Sequence, residues 1–445
     1  MTARETALRI LLAFEKDKPR LDHLLDSQFK ESALSAKERK FVSNLVSGVI
    51  RFRSLLDWKA ASLFKGSYKS SLNYFKLILC LALYELDHLD FIPPHATLNE
   101  YVDIAKKKLP AAFARTVNGI LRTYLRIGKS LDPEKKFKYP ETQLSLKYAF
   151  PEWLIKRWLD QWDREFVEDM CRAMNERPTF DLRIHTAKIS MEDFKERLAT
   201  AQIAYSDSAI LADVLKITDM QNLQQSGLLK SGLCSVQDES GLLAVQLLEA
   251  GNAHSLLDIC AAPGSKLTAI MDNYPDLHVT ALELKSQRIL KVRENCRRLG
   301  LREAYLVVGD ATIAPFPAES YDHILVDAPC SGLGTIQKHP DIKWRRTLEE
   351  IFTFQRLQLQ IMDEVKRLLK PGGILVYCTC TVDPSENEQV IQQFMARAKD
   401  MFRIIPPPPV LTPFLSEKIY LRTFPHKHAM EGSFAVKLQK IRAEL

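Results

Sequence analysis

The chain has no apolar run long enough to cross a membrane. The longest, Leu77 to Tyr84, falls far short of the ~20 residues that a helical span requires. The opening segment, Met1 to Lys18, holds only the short run Ala7 to Phe14, interrupted by Arg9, and no small-residue cleavage site, so no secretory signal is expected. Cysteine is sparse: eight residues in 445 do not make a disulfide framework. No C-x2-C pair occurs, and the single C-x-C, Cys378 and Cys380, has no matching second pair, so no closed metal site is expected. Internal repeats are absent, and so is low-complexity sequence apart from Pro406 to Pro409. A cytoplasmic globular protein with free thiols and no membrane or metal partner is the resulting expectation.

Hydrophobic content of 46% and charged content of 26% are those of an ordinary globular protein. A length of 445 residues exceeds one ordinary core and implies two or three domains. The net charge of +7 is unevenly spread. Residues 1–150 carry 26 Lys and Arg against 16 Asp and Glu, or +10, and the remainder carries 36 against 39, or −3. A basic N-terminal third suggests a polyanion partner there, although a solvated basic surface would give the same count.

Residues 1 to about 128 read as helix throughout. Val42, Leu45, Val46 and Val49 follow the i, i+3, i+4, i+7 pattern, as do Phe75, Ile78, Leu79 and Ala82. Pro93-Pro94 interrupts before another helical stretch, Thr97 to Lys108, and Arg115, Arg122 and Arg126 make one face of a later helix basic. The polar stretch Ser130 to Glu141 reads as a linker. A small α/β domain is then suggested by a helix opening at Pro151, strand-like Arg177 to His185, a helix over Met191 to Ala201 and strand-like Leu211 to Ile217. The expected domains are 1–130 helical, 131–235 linker and small α/β, and 236–445 a doubly wound parallel α/β fold. Short apolar runs in the last of these are Ser255 to Ile259, Val279 to Leu282, Ala304 to Val308, His323 to Val326 and Ile374 to Tyr377, with Phe434 to Leu438 as a further strand.

In such a sheet, ligands bind at the carboxyl ends of the strands near the switch point. The loop Cys260-Ala261-Ala262-Pro263-Gly264-Ser265-Lys266 follows the first run and leads into a helix, whose first backbone N–H groups suit a carboxylate. Glu283 ends the second run about 20 residues later, where ribose hydroxyls are bonded. Asp310, after the third run, can reach an adenine edge. The loop is not G-x-G-x-x-G, which disfavours a dinucleotide. Two later segments, Asp327-Ala328-Pro329-Cys330-Ser331-Gly332 and Tyr377-Cys378-Thr379-Cys380-Thr381, each follow an apolar run with cysteine. Together the three segments suggest S-adenosylmethionine chemistry driven by a thiolate.

Cys260 to Lys266 resembles the cofactor motif of the NOL/NOP/Sun family of RNA cytosine-C5 methyltransferases. Asp327 to Ser331 with His339-Pro340-Asp341-Ile342-Lys343-Trp344 resembles its fourth motif, and Thr379-Cys380-Thr381 its sixth. The basic helical N-terminus is similar to the NusB-like domain of its bacterial members. The resemblance implies an all-helical NusB-like domain, a small α/β domain and a C-terminal Rossmann-like methyltransferase domain that uses S-adenosylmethionine on one cytosine of 16S ribosomal RNA. It also admits protein contacts through the NusB-like domain. Two positions depart from the family pattern. Ser265 stands where a second glycine is usual, and its Cβ narrows the approach to the cofactor while its hydroxyl is able to donate to a carboxylate. His185 stands where asparagine is more common.

Roles follow from the same resemblance. A thiolate adding to C6 of cytosine makes C5 nucleophilic enough to take a methyl group. Cys380 is then the nucleophile, and Cys330 assists product release as, or through, the base. Asp327 bonds N3 or N4 of the cytosine, and Lys266 contacts base or cofactor. The cofactor set is Cys260, Ala261, Ala262, Pro263, Gly264, Ser265, Lys266, Glu283, Asp310 and Asp327. In DNA cytosine methyltransferases the Pro-Cys cysteine attacks instead, but no Glu-Asn-Val segment follows Cys330 here. An RNA-binding adaptor with an idle catalytic domain is the other reading, opposed by the intact cysteines and acidic residues.

Overall fold

The computed structural model describes residues 1–442. It divides into two compact units: residues 1–176 together with 338–346, and residues 177–337 together with 347–442.

The first unit is helical. Its N-terminal part comprises α1 (Ala3–Asp17), α2 (Leu21–Lys30), α3 (Ala36–Arg51), α4 (Arg53–Leu63), α5 (Asn73–His88), α6 (Pro94–Lys108) and α7 (Ala111–Ile127). Thr2 and Ser35 start α1 and α3 with capping boxes closed by Glu5 and Glu38. The apolar run Leu77 to Tyr84 is the central helix, α5, buried on every side. The acidic end of that helix, Glu85, is buried too and is held by Arg4 at 2.7 Å, Thr97 Oγ1 at 2.6 Å and Tyr101 at 3.1 Å. Arg115, Arg122 and Arg126 lie exposed along α7, as their spacing predicts. The stretch expected as a linker contains a short helix, Pro133–Lys136, and runs into another, Pro140–Lys147. Pro133 and Pro140 each occupy a first-turn position, where proline's fixed φ favours the helix.

The chain returns to this unit at Lys338. Lys343 is buried, with its ammonium 3.1 Å from both the Arg51 and Ala149 carbonyls, 2.6 Å from Asn175 Oδ1 and 3.6 Å from the centre of the Phe150 ring. Burial pushes this amine well below its ordinary range, yet three oxygens around one nitrogen match the three donors of the charged form. Trp344 Nε1 donates to the Ile50 carbonyl at 2.7 Å, and Asp341 accepts from the Leu21 N–H at 3.4 Å. Lys343, Trp344 and Asp341 are therefore structural ties of the helical unit.

The second unit contains two sheets. The smaller has antiparallel order β2-β3-β1-β4, from β1 (Phe180–Ile184), β2 (Tyr205–Asp207), β3 (Val214–Ile217) and β4 (Cys234–Val236). Strands β2 and β4, of three residues each, carry no alternating apolar pattern that the sequence could announce. The larger sheet is built from β5 (Ser255–Ile259), β6 (His278–Glu283), β7 (Tyr305–Val308), β8 (Tyr321–Asp327), β9 (Leu369–Thr379), β10 (Phe402–Ile404), β11 (Leu415–Ser416), β12 (Tyr420–Thr423) and β13 (Ser433–Lys440). Its order is β11-β12-β13-β9-β8-β5-β6-β7, with β10 paired to β13. The segment β9-β8-β5-β6-β7 is parallel, but β13 runs antiparallel to β9, so the sheet is mixed rather than wholly parallel. The order reverses between β5 and β8, which is the switch point where a crevice opens. No helix among the described residues is long and apolar enough to cross a membrane.

Asp322 ties β8 to β5 at the end away from that crevice. It accepts from the His254 N–H at 3.2 Å, the Ser255 N–H and hydroxyl at 2.9 Å each, and Lys370 at 2.8 Å. Burial alone would raise this carboxyl, but Lys370 and Ser255 bring it to about 2 from the usual 3.8. Its stabilising contribution is present above the unfolded value and is lost as pH falls through the folded one. Asp322→Asn is expected to cost about 2 kcal/mol at neutral pH. The difference from wild type should vanish toward pH 2, as read by urea unfolding across pH; a cost independent of pH would count against the ion-pair explanation.

Candidate active site

Strands β5, β6 and β8 end level with one another. In register, Ile259 lies opposite Leu282 and Val326, and Asp327 lies opposite Cys378. The loops that leave them carry the residues singled out from the sequence. Cys260 takes φ +62°, the bend that turns the chain off β5, and Gly264, at φ +98°, caps the helix Ser265–Asn273. A side chain at Gly264 would be strained by that φ and would crowd Val292 at 3.2 Å. The loop's carbonyls are held from the next helix, Ser286–Arg298: Arg288 donates to the Ala262 oxygen at 2.6 Å and Asn295 to that of Pro263 at 3.0 Å. Ser265 is the first residue of its helix and half-buried.

Acidic groups gather at these strand ends. Asp258, the last acid of β5, is buried with neither carboxylate oxygen hydrogen-bonded, and burial, then the charge of Asp327, pushes it well above the usual carboxylate range. Glu283 is buried as well. One of its oxygens takes Arg288 at 3.2 Å and the Lys285 N–H at 3.3 Å, while the other has no partner. Asp310 is exposed beyond β7 and bonded by its own turn, accepting from the Thr312 N–H at 2.8 Å and hydroxyl at 2.7 Å. The Cys260 thiol is pushed up to about 12 by burial and the neighbouring Glu283, which suits packing rather than chemistry.

The two cysteines of interest meet. Cys330 Sγ lies 3.3 Å from Cys380 Sγ, and both are half-buried. The hydrogen bond to Cys380, then burial, holds Cys330 as a thiol well above its ordinary range. Lys266 Nζ pairs with Asp327 Oδ2 at 2.8 Å. Burial works against the Lys266 charge, but Asp327, then the nearby Cys378 and Cys380, raise it above the usual range. Cys378 sits beneath, its sulfur 3.6 Å from Asp327 Oδ1. The structure thus brings Asp327, Lys266, Cys330 and Cys380 to one strand-end site and leaves Asp310 outside the buried cluster.

Several residues at the site had escaped assignment. Asp258 lay within the apolar run just before the cofactor loop but received no role. Ser331, Thr381, Gln358 and Glu386 form a buried hydrogen-bonded group around the two cysteines. A glutamate inside Pro384-Ser385-Glu386-Asn387-Glu388 reads as surface, and only the neighbouring Thr379-Cys380-Thr381 could have drawn attention to it. His185 is buried, with Nδ1 2.8 Å from Asp272 Oδ2 and Nε2 3.0 Å from Ser235 Oγ. Arg183 joins Asp272 at 2.9 Å. His185 therefore fastens the end of β1 of the smaller sheet to the helix Ser265–Asn273.

With this geometry in view, comparison with known proteins assigns the family. Residues 245–439 match the model of the 16S rRNA methyltransferase RsmB/F family, residues 1–126 that of the NusB family, and residues 150–224 that of a ferredoxin-like domain of RsmF/B-like methyltransferases. The chain is 31% identical to a probable ribosomal RNA small subunit methyltransferase B of Synechocystis over 99% of its own length and 100% of that relative's. It is 34% identical to the ribosomal RNA small subunit methyltransferase B of Cronobacter sakazakii, over 82% of this chain and 84% of that one. A crystal structure of a methyltransferase homolog protein from Pyrococcus horikoshii shares 27% identity with a TM-score of 0.57, covering 68% of this chain and 100% of that chain. The fold is that of a methyltransferase. The chain belongs to the ribosomal RNA small subunit methyltransferase B family.

The thiol separation makes a chemical prediction. Mild treatment with diamide, which takes one hydrogen from each of two thiols, should crosslink Cys330 to Cys380 before any other pair. Peptide mapping under non-reducing conditions would show this. A first crosslink elsewhere would contradict the geometry.

Proposed function

We propose that this protein transfers a methyl group from S-adenosylmethionine to C5 of one cytosine in 16S ribosomal RNA through a covalent bond between Cys380 and C6 of the base. The observation that carries the proposal is the Cys330–Cys380 pair, 3.3 Å apart, beside the Asp327–Lys266 ion pair at 2.8 Å.

The residues present fit the cofactor. The unpaired oxygens of Asp258 suit an ammonium group, and the free Glu283 oxygen suits a ribose hydroxyl. The N–H groups at the start of the helix Ser265–Asn273 suit a carboxylate. Residues Cys260 to Lys266, with Glu283, Asp310 and Asp327, line that side of the crevice in this proposal. Bound there, S-adenosylmethionine supplies an electrophilic methyl group on a sulfonium. The protein's own groups do the rest. Cys380 forms a bond to C6 as thiolate, and the electron pair of the C5–C6 double bond moves toward C5. Asp327, held by Lys266, hydrogen-bonds the base at N3 or N4 and steadies the charge that develops there. After C5 is methylated, its proton leaves to a base, the C6–S bond breaks, and the thiolate of Cys380 is restored. Cys330, kept as a thiol by its bond to Cys380 and by burial, is suited to assist release.

The target cytosine must leave its stack to reach a thiol at a strand end. The exposed Arg115, Arg122 and Arg126 of α7 suit RNA phosphates, whose contacts position without reading sequence. We further propose the division 1–130, 131–235 and 236–445 into a NusB-like domain, a linker with a small α/β domain and a methyltransferase domain. A cytoplasmic location, where ribosomal RNA is made, and additional protein contacts through the NusB-like domain belong to the same reading.

Trapping with 5-fluorocytosine-substituted 16S RNA fragments in the presence of S-adenosylmethionine tests the proposal, because fluorine at C5 blocks release. Wild type and Cys330→Ala should accumulate an RNA–protein adduct, and Cys380→Ala should form none. Loss of the adduct only in Cys330→Ala would move the nucleophile to Cys330. Tight RNA binding without any adduct would favour an adaptor.

A further inference from the structure

Both cysteine-bearing loops converge on one buried carboxylate that the reaction scheme leaves unused. Ser331 follows Cys330 and Thr381 follows Cys380, and their hydroxyls meet at 2.9 Å. Glu386 accepts the Ser331 N–H at 2.7 Å and also the Ser331 hydroxyl. Gln358, on the helix Leu348–Leu368, donates to the same carboxylate at 3.2 Å and to the Pro329 carbonyl at 2.9 Å. Residues on both sides of Cys330 are thus fixed to Glu386, and the residue after Cys380 is fixed to it through Ser331.

The direction of these bonds depends on the charge of Glu386. As a carboxylate it only accepts, so the Ser331 O–H points to it and Ser331 Oγ receives the Thr381 O–H. Thr381 Oγ in turn receives the Asp383 N–H at 3.2 Å. Donors therefore run in series toward the carboxylate. A proton on the oxygen facing Ser331 Oγ would turn the first link round and send the Ser331 O–H toward Thr381, whose own O–H would then have to turn to another acceptor. We propose that Glu386 is a positioning residue: through Ser331 and Thr381, its carboxylate sets the spacing of the Cys330 and Cys380 thiols that attack on the base requires. The inference rests on the reading of the two cysteines given above.

The surroundings agree with a group whose charge is finely balanced. Burial pushes Glu386 up to about 7, opposed by the bonds from Ser331. The titratable groups facing it are Asp383 on its own loop, Cys330 on the loop after β8, and Tyr377 on β9, whose hydroxyl donates to the Glu386 carbonyl at 2.6 Å. Gln358, facing it from the helix, is uncharged.

Glu386→Gln keeps the shape and removes the charge, and Ser331→Ala removes only the relay. Two rates would be measured in each full-length variant: adduct formation on saturating 5-fluorocytosine RNA, and Cys330–Cys380 crosslinking by diamide without RNA or cofactor. Both variants should slow both rates by about tenfold, the value of one hydrogen bond to a charged group. Dissociation constants for RNA and S-adenosylmethionine should stay within about twofold. The wild-type adduct rate should also show a limb near pH 7 that Glu386→Gln lacks. If Glu386→Gln does not fold, Ser331→Ala carries the test. Unchanged crosslinking in folded variants would overturn the proposal. Cys380→Ala, run alongside, separates the two ideas: an adduct in that variant would sink the assignment of the nucleophile, while the crosslinking rates would still judge Glu386.

Discussion

The parallel pairing of β8 with β9, with Asp327 opposite Cys378, is the constraint on which the site depends. Two neighbouring strands that end at the same level release their loops side by side. Cys330 lies three residues beyond Asp327 and Cys380 two residues beyond Cys378, so both thiols arrive at one point while the carboxylate stays at the strand end beside Lys266. A register shift of one residue would send Asp327 to the opposite face of the sheet and dissolve the grouping.

What keeps those loops still is polar and buried. Around Cys330 and Cys380, backbone groups are tied as well as side chains: the Gly334 N–H donates to the Cys380 carbonyl at 3.1 Å, and the Gly432 N–H donates to the Gly334 carbonyl at 3.0 Å. A Cβ on Gly334 would fall 1.7 Å from the Gly432 oxygen, so glycine is required by the approach of the chain itself. Asn387 bridges further, bonded to Thr379 Oγ1 at 2.6 Å and the Thr381 carbonyl at 3.0 Å. Apolar packing would tolerate small slips of these loops, whereas satisfied hydrogen bonds have direction and do not. The helical unit uses the same device at Lys343, whose ammonium fastens three separate stretches of chain at Arg51, Ala149 and Asn175.

The strands that build the site were legible because each is a short apolar run that stops at an acid or a cysteine, as at Cys260, Glu283 and Asp327. The helical N-terminus was equally clear from the spacing of Val42, Leu45, Val46 and Val49, all of which are buried. What could not be read has physical causes. Whether Phe434 to Leu438 joins parallel or antiparallel depends on the route of the chain after β9, and Phe434 pairs antiparallel with Thr379. The tie between Lys343 and Arg51 spans 292 positions, so local pattern carries no trace of it. Buried Glu386 and Asp258 look like surface acids until the fold encloses them. Motif resemblance pointed to the cysteines, but not to the hydroxyls and carboxylate bonded beside them.

The most direct measurement is tritium release from 16S RNA transcribed with cytidine labelled at C5, followed alongside methyl incorporation from S-adenosylmethionine. Methylation at C5 expels that hydrogen, so one tritium should appear in water for each methyl group transferred. Methyl transfer with the tritium retained would mean that the acceptor is another atom, and the two-cysteine mechanism would be wrong.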